Sequence, residues 1–194
     1  MSHETRSDEF QALANAIQHQ RAIRVFDGRD VEDHFVEEAI RLATFAPSGG
    51  NRQPSRYIVV RDRQIKQGLG QIFDDLAASL GDYKAPDRTP WEDVPVLVAV
   101  VTEGSHSSAA ASVYPGVQNF LLAIQAQGLG SVLTTRWKRR EAEVNALLGL
   151  PEGWETHAIL PVGWPTRPYG RGTRVPVREV VFRDRFGTPW EEAP

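Results

Sequence analysis

The stretch Ala46-Pro47-Ser48-Gly49-Gly50-Asn51-Arg52-Gln53-Pro54 constrains this chain more than any other. Two prolines bracket two glycines and three small polar side chains, a composition for a loop of fixed shape that ends one helix and opens a short strand. Proline disfavours helix in the residue before it, so Pro47 stops the helix that precedes it. Gly49 and Gly50 reach backbone angles closed to other residues and leave room for a flat ligand near the main chain. Ser48, Asn51 and Gln53 present hydroxyl and amide groups that both donate and accept hydrogen bonds. Taken alone, the stretch suits an ordinary surface turn as well as it suits a loop for a ligand with a polyol arm and a ring edged by C=O and N–H groups.

Hydrophobic spacing places the rest of the chain around this loop. Phe10, Leu13, Ala14 and Ile17 form one helical stripe. Residues 31–46 read as a second helix, with Phe35, Ala39, Leu42, Ala43 and Ala46 on its buried side. Residues 57–60 are a short apolar run of strand length, expected to be buried on both faces. Ile65, Leu69, Ile72, Phe73, Leu76, Ala77 and Leu80 give the clearest helical stripe. Residues 81–93 hold Pro86 and Pro90 without periodicity and read as a loop or lid. Residues 94–101 are an almost unbroken strand, and 103–112 a small, polar and mobile stretch. Pro115 suits the first turn of a helix carrying Val117, Phe120, Leu121, Ile124 and Ala126, with Gly128 capping its end. Residues 129–135 return as a strand or extended loop, 141–148 as a helix closed by Gly149, and 156–163 as a buried strand. A Pro/Gly/Arg loop (165–172), an extended segment (174–182) and a tail containing Trp190 complete the chain. Helices and strands mix throughout, so residues 1–194 read as a single α/β or α+β domain.

Composition removes several classes of function. The net charge of −3 and a pI near 6.0 argue against a nucleic-acid binder held by phosphate contacts. No cysteine is present, which excludes thiolate metal sites and thiol nucleophiles and is consistent with a cytoplasmic protein. No apolar run is long enough to span a bilayer, and residues 1–11 carry no signal-peptide core. No G-x-S-x-G elbow makes Ser48 a nucleophile, the five histidines show no ligand-like spacing, and no P-loop is present. Gly128-Leu129-Gly130 begins like a dinucleotide fingerprint, but it follows a helix instead of a strand and lacks the third glycine. Arg21 and Arg24 flank Ile23 and precede Val25 and Phe26: they suit a solvated face or, held against the core, an anion site. Arginines and amides without an acid, base or nucleophile point to a cofactor that brings its own reactivity.

Three blocks together resemble the nitroreductase family of FMN flavoproteins. Arg21-Ala22-Ile23-Arg24-Val25-Phe26 is similar to that family's R-S-x-R-x-F element, and residues 46–54 to its A-P-S-x-x-N-x-Q-P-W loop. The third block runs from Val117-Gln118-Asn119-Phe120 through Gly128-Leu129-Gly130-Ser131 and Leu148-Gly149-Leu150-Pro151 to Pro161-Val162-Gly163-Trp164-Pro165. The resemblance implies an α+β fold, a mixed sheet wrapped by helices, in an intertwined homodimer with FMN at the interface and residues 174–194 packed on the partner. It implies Arg24 near the ribityl chain or pyrimidine end of the flavin, and Arg21 and Arg174 at the phosphate, with Arg171 a weaker candidate for that role. Ala22 stands at a phosphate-facing position. Pro47, Ser48 and Asn51 line the flavin from the partner subunit, with Gln53 supporting the loop. The main chain of Leu133, Thr134 and Thr135 bonds the ring edge near N5.

This chain departs from the family pattern at three points. Gln20 stands where the family commonly has Arg, Ala22 replaces a phosphate-binding Ser, and Ser55 replaces the Trp after Gln-Pro. The implied activity is that of an FMN-dependent oxidoreductase in which NAD(P)H reduces the flavin, and the flavin reduces a nitroaromatic, a quinone or another small-molecule electron acceptor by ping-pong transfer. Two other readings stay open: an FMN-dependent dehydrogenase or oxidase of a biosynthetic intermediate, and a flavin-binding protein of low turnover.

Overall fold

A computed structural model describes residues 7–79, 87–104, 109–168 and 170–190. Its elements are α1 (Asp8–His19), α2 (Asp33–Ala43), β1 (Ser55–Val60), α3 (Arg63–Ala78), β2 (Val96–Glu103), α4 (Ala109–Ala126), β3 (Gly130–Ser131), α5 (Glu141–Leu147) and β4 (Trp154–Gly163). The four strands form one antiparallel sheet in the order β1-β2-β4-β3. A parallel bridge from Ala22 to Ser131 continues it past β3 and makes the sheet mixed at that edge. The fold is α+β.

The alternation of β2 builds two cores. Val96, Val98 and Val100 point to one face and pack with α2 and α4 through Val36, Ala39, Val113, Val117, Phe120 and Ile124. Leu97, Ala99 and Val101 point to the other and pack with α3 and α5 through Leu69, Ile72, Phe73, Leu76 and Val144. Both faces of a central strand are therefore buried, which explains its unbroken apolar run. Asp62 caps α3 by accepting from the N–H of Ile65 at 2.9 Å, and Ser7 caps α1 by accepting from Phe10 at 3.2 Å.

The structure revises several expectations. β1 is an edge strand, and Val59 is 42% exposed. Pro115 lies inside α4 instead of in its first turn. The small residues Ala109-Ala110-Ala111 begin the helix earlier, so Pro115 removes the bond to the carbonyl of Ala111. The stretch 103–112, expected to be mobile, is thus helical from Ala109, while its residues 105–108 lie outside the described residues. Residues 91–93 form a 3-10 turn with Trp91 buried, so the 81–93 stretch is not all loop; its residues 81–86, and Leu80, lie outside the described residues. Phe35 is half-buried and Leu42 is exposed, and the buried side of α2 is Val36, Ala39 and Ala43. The stripe on α1 is real, yet Phe10, Leu13 and Ile17 are exposed.

Candidate active site

Residues 21–26 run as an extended segment along the sheet edge. Ile23 N–H donates to the Ser131 carbonyl at 3.0 Å, and Asp27 N–H to the Trp164 carbonyl at 2.9 Å. Two glycines permit this approach. A Cβ on Gly130 would lie 2.6 Å from the Ile23 side chain, and one on Gly163 2.7 Å from the Phe26 ring. Ile23 and Phe26 are buried in consequence. Thr89 ties the segment from the far side: Phe26 N–H donates to its hydroxyl at 2.9 Å, and its own N–H donates to the Arg24 carbonyl at 2.8 Å.

Arg24 then lines a cavity of about 520 Å³, together with Leu133, Thr134 and Thr135. Its floor is apolar, with Phe73, Trp91, Val94, Val132 and Pro161. Residues 133–135 are held by their polar groups. Thr134 donates its hydroxyl to the Ile159 carbonyl and accepts from Trp137 Nε1 at 2.6 Å. The carbonyls of Thr134 and Thr135 accept from Ile159 and Lys138 at 3.1 and 3.2 Å. Among the described residues the N–H groups of Leu133 and Thr135 make no hydrogen bond. Two free main-chain donors beside a guanidinium can receive an electron-rich ring edge.

The remaining expected residues lie elsewhere. Ser48 and Gln53 line a second cavity of about 390 Å³ with Ser55, Tyr57 and Ser112. Pro47 is exposed at the start of this loop, and Asn51 is exposed in its turn. The loop holds Gly50, Asn51 and Gln53 at φ of 59°, 54° and 49°. Left-handed backbone costs energy at Asn and Gln, and such positions cluster at ligand sites. Ser48 maintains the shape: its hydroxyl accepts from Gln53 N–H at 2.9 Å and its carbonyl from Asn51 N–H at 2.9 Å. Burial raises the pKa of the nearby Tyr57 phenol, and a hydrogen bond with Ser55 works against that rise.

Arg21 and Arg24 line different cavities. Arg21 faces a third one, of about 240 Å³, with Gln125 and Ser131. Its Nη1 donates to the Gln20 carbonyl at 2.8 Å, while its Nη2 is buried with no hydrogen-bond partner among the described residues. Gln125 Oε1 and Ser131 Oγ are in the same condition. Gly172 packs directly on the Arg21 guanidinium, which brings the C-terminal segment alongside it. Ala22 is exposed at the bridge, and Arg171 and Arg174 are exposed in that segment. Within one chain, therefore, Arg24 and residues 133–135 converge, and the loop around Ser48 does not join them.

Sequence reasoning missed the 3-10 turn Arg136–Arg140, whose Arg136, Lys138 and Arg139 also line the first cavity. Four cations in five residues was a legible signal. Trp137 anchors the turn, packed at 5.0 Å from the rings of Phe73 and Trp91. Burial of Lys138 opposes its charge, but the hydrogen bonds it donates to Glu155 and Glu141 outweigh that and raise its pKa.

Residues 17–164 match the model of the nitroreductase family. The chain is 30% identical over 158 residues to iodotyrosine deiodinase of Thermotoga neapolitana, covering 75% of this chain and 82% of that protein. It is 30% identical over 154 residues to an Archaeoglobus fulgidus protein provisionally named NADH dehydrogenase/NAD(P)H nitroreductase, covering 75% and 81%. A crystal structure of oxidised iodotyrosine deiodinase bound to FMN and 3-iodo-L-tyrosine superposes with a TM-score of 0.77 at 26% identity, covering 89% of this chain and 98% of that one. With these matches covering most of its length, the chain belongs to the nitroreductase family.

Proposed function

We propose that this protein is a homodimeric FMN-dependent oxidoreductase that takes reducing equivalents from NAD(P)H and delivers them to a small-molecule acceptor such as a nitroaromatic or a quinone. The observation that carries the reading is the convergence of Arg24 with the free N–H groups of Leu133 and Thr135 on a cavity of about 520 Å³. Pockets of a few hundred cubic ångströms with an apolar floor and a few fixed polar groups suit a planar cofactor. The chemistry supplied by FMN, when bound, is acceptance of a hydride from NAD(P)H and its passage to the acceptor.

The chain's own residues bind and orient. Arg24 sets a positive charge beside the ring and favours its reduced, anionic form. Leu133, Thr134 and Thr135 present their main chain to the ring edge. The phosphate falls to Arg21, Arg171 and Arg174, beside the position of Ala22. The buried, unpartnered Nη2 of Arg21 supports this assignment, because an orphaned guanidinium nitrogen is costly until an anion meets it. So does the packing of Gly172 on Arg21, which carries the C-terminal arginines toward it. Pro47, Ser48 and Asn51, with Gln53 bracing the loop, act on the flavin of the partner subunit, which accounts for their separation from Arg24 in one chain.

The purified protein is expected to be yellow and, on denaturation, to release FMN and no FAD on chromatography. NAD(P)H is expected to bleach it under nitrogen, and a nitroaromatic or quinone to restore the colour. A protein that retains no FMN and cannot be loaded with it overturns the reading. The match to a deiodinase supports a second one, in which the acceptor is an iodinated aromatic that gains two electrons and a proton and releases iodide. An iodide electrode with 3-iodotyrosine as acceptor separates the two.

A further inference from the structure

The chain is acidic overall, yet the cavity at Arg24 is lined by five cations, Arg24, Arg88, Arg136, Lys138 and Arg139, and by no carboxylate among the described residues. Most of these charges are already engaged. Arg88 pairs with Asp74 and lies 5.1 Å from the centre of the Trp91 ring. Arg136 stacks at 4.9 Å over Phe73. Lys138 bridges Glu141 at 3.0 Å and Glu155 at 2.9 Å. The next residue but one, Arg140, which does not line the cavity, turns away to Glu143 and to Asp75 at 3.1 Å. Arg139 alone in the turn is exposed and makes no ion pair among the described residues. The 3-10 turn thus spends its carboxylate partners on Lys138 and Arg140 and leaves one cation at the mouth of an aromatic-floored cavity.

We propose that the cavity selects an aromatic acceptor carrying a carboxylate, and that Arg139 is the specificity-determining residue that receives that group. This deepens the oxidoreductase reading and rests on it for the acceptor's role. The cavity walled by Phe73, Trp91, Val94 and Pro161 admits the acceptor's ring beside the cofactor, and the free guanidinium takes the anion. Arg24 is not the receiver, because it is placed toward the ring edge of the cofactor.

The test compares 4-nitrobenzoate with nitrobenzene in the flavin-loaded protein, using wild type, Arg139→Gln and Arg139→Lys. For an exposed charge pair the expected effect is modest: Arg139→Gln raises KM for 4-nitrobenzoate about fivefold, leaves nitrobenzene unchanged, and Arg139→Lys restores most of the loss. The preference for the anion also weakens as salt is raised. An equal rise for both acceptors shows that Arg139 only shapes the pocket and overturns the proposal. A change confined to the NADPH-over-NADH ratio assigns the anion site to the donor's extra phosphate and overturns it as well. Quenching of tryptophan fluorescence by the two nitroaromatics, with Trp91 in the cavity wall, reads the same preference without turnover. A preserved anion preference in a protein that holds no FMN therefore marks failure of the cofactor reading, and a flavin-loaded protein with no preference marks failure of this one.

Discussion

His157 is the residue whose chemistry depends most on its surroundings. It sits at an irregularity in the β2–β4 ladder, where Val100 faces Ala158 but Val101 faces Thr156. Its ring is buried and shares a 2.8 Å hydrogen bond with the Thr102 hydroxyl, and Tyr114 contacts its carbonyl. Burial, and then the charge of Lys138, hold its pKa below 6.5, while Glu155 and Glu141 pull the other way. The unfolded chain therefore takes up this proton near pH 6.5, and the folded chain only at lower pH. The group contributes nothing to pH dependence above 6.5, and stability is lost as pH falls from there through the folded pKa. The urea midpoint is expected to fall between pH 7.5 and 5.5, and His157→Gln, which retains a partner for Thr102, to flatten part of that fall. Parallel slopes for the two proteins contradict the assignment. His157 falls in the run 156–163 that reads as a buried strand, but its register beside Val100 and Val101 depends on an extra residue in the ladder, which pattern reading does not detect.

At the scale of elements, the site depends on how closely residues 21–26 approach the sheet. Gly130 and Gly163 are the contact points, and both neighbours are branched or aromatic side chains with no room to retreat. Gly163→Ala is expected to destabilise the fold by about 1–3 kcal/mol, the usual cost of overpacking, and to displace Arg24 with the segment. Flavin affinity should therefore fall more than it does for Arg52→Ala on the exposed 46–54 loop, measured by titration at a urea concentration well below either midpoint. Unchanged flavin affinity in Gly163→Ala would show that Arg24 is placed by something other than this packing. Element positions were largely readable, because α3 and β2 carry strong periodic or continuous apolar patterns. The start of α4 was not: alanine is the best helix former yet marks no face, so the pattern begins only where Val113 and Val117 reach the core.

Across the whole molecule, apolar surface is left over. Phe10, Leu13 and Ile17 on α1, Phe45 after α2, and Val175, Val177, Val180, Phe186 and Trp190 in the C-terminal segment are each 46% exposed or more. Scattered exposed apolar residues are ordinary, but a helix whose three large stripe residues are all exposed is not. A second copy of the chain is the surface proposed to cover them, and obligate dimer interfaces resemble a core cut in half. Light scattering is expected to give a dimer, and removal of residues 174–194 to weaken both dimer and FMN binding, since the segment carries Arg174 and the apolar tail together. A flavin-loaded, stable monomer would refute this arrangement. Among the described residues no helix is long and apolar enough to cross a membrane.

The sequence by itself determined the α+β class, the loop at 46–54, the arginine pair and the family, because each is written in local spacing or in glycine, proline and charge at fixed positions. Tertiary structure alone decided which of these residues meet. Arg21 and Arg24 are three apart, yet they line different cavities, because a bridged extended segment turns its side chains to opposite sides. Ser48 and Arg24 belong to one expected site, yet they sit in separate cavities of a single chain. Arg139 stands in a basic run, and only the positions of Asp75, Glu141, Glu143 and Glu155 show that it is left without an ion pair while Lys138 and Arg140 are paired. Spacing along a chain records direction and periodicity; the neutralisation of one charge by another depends on contacts between residues distant in sequence, and those exist only after the sheet and its two helical layers have closed.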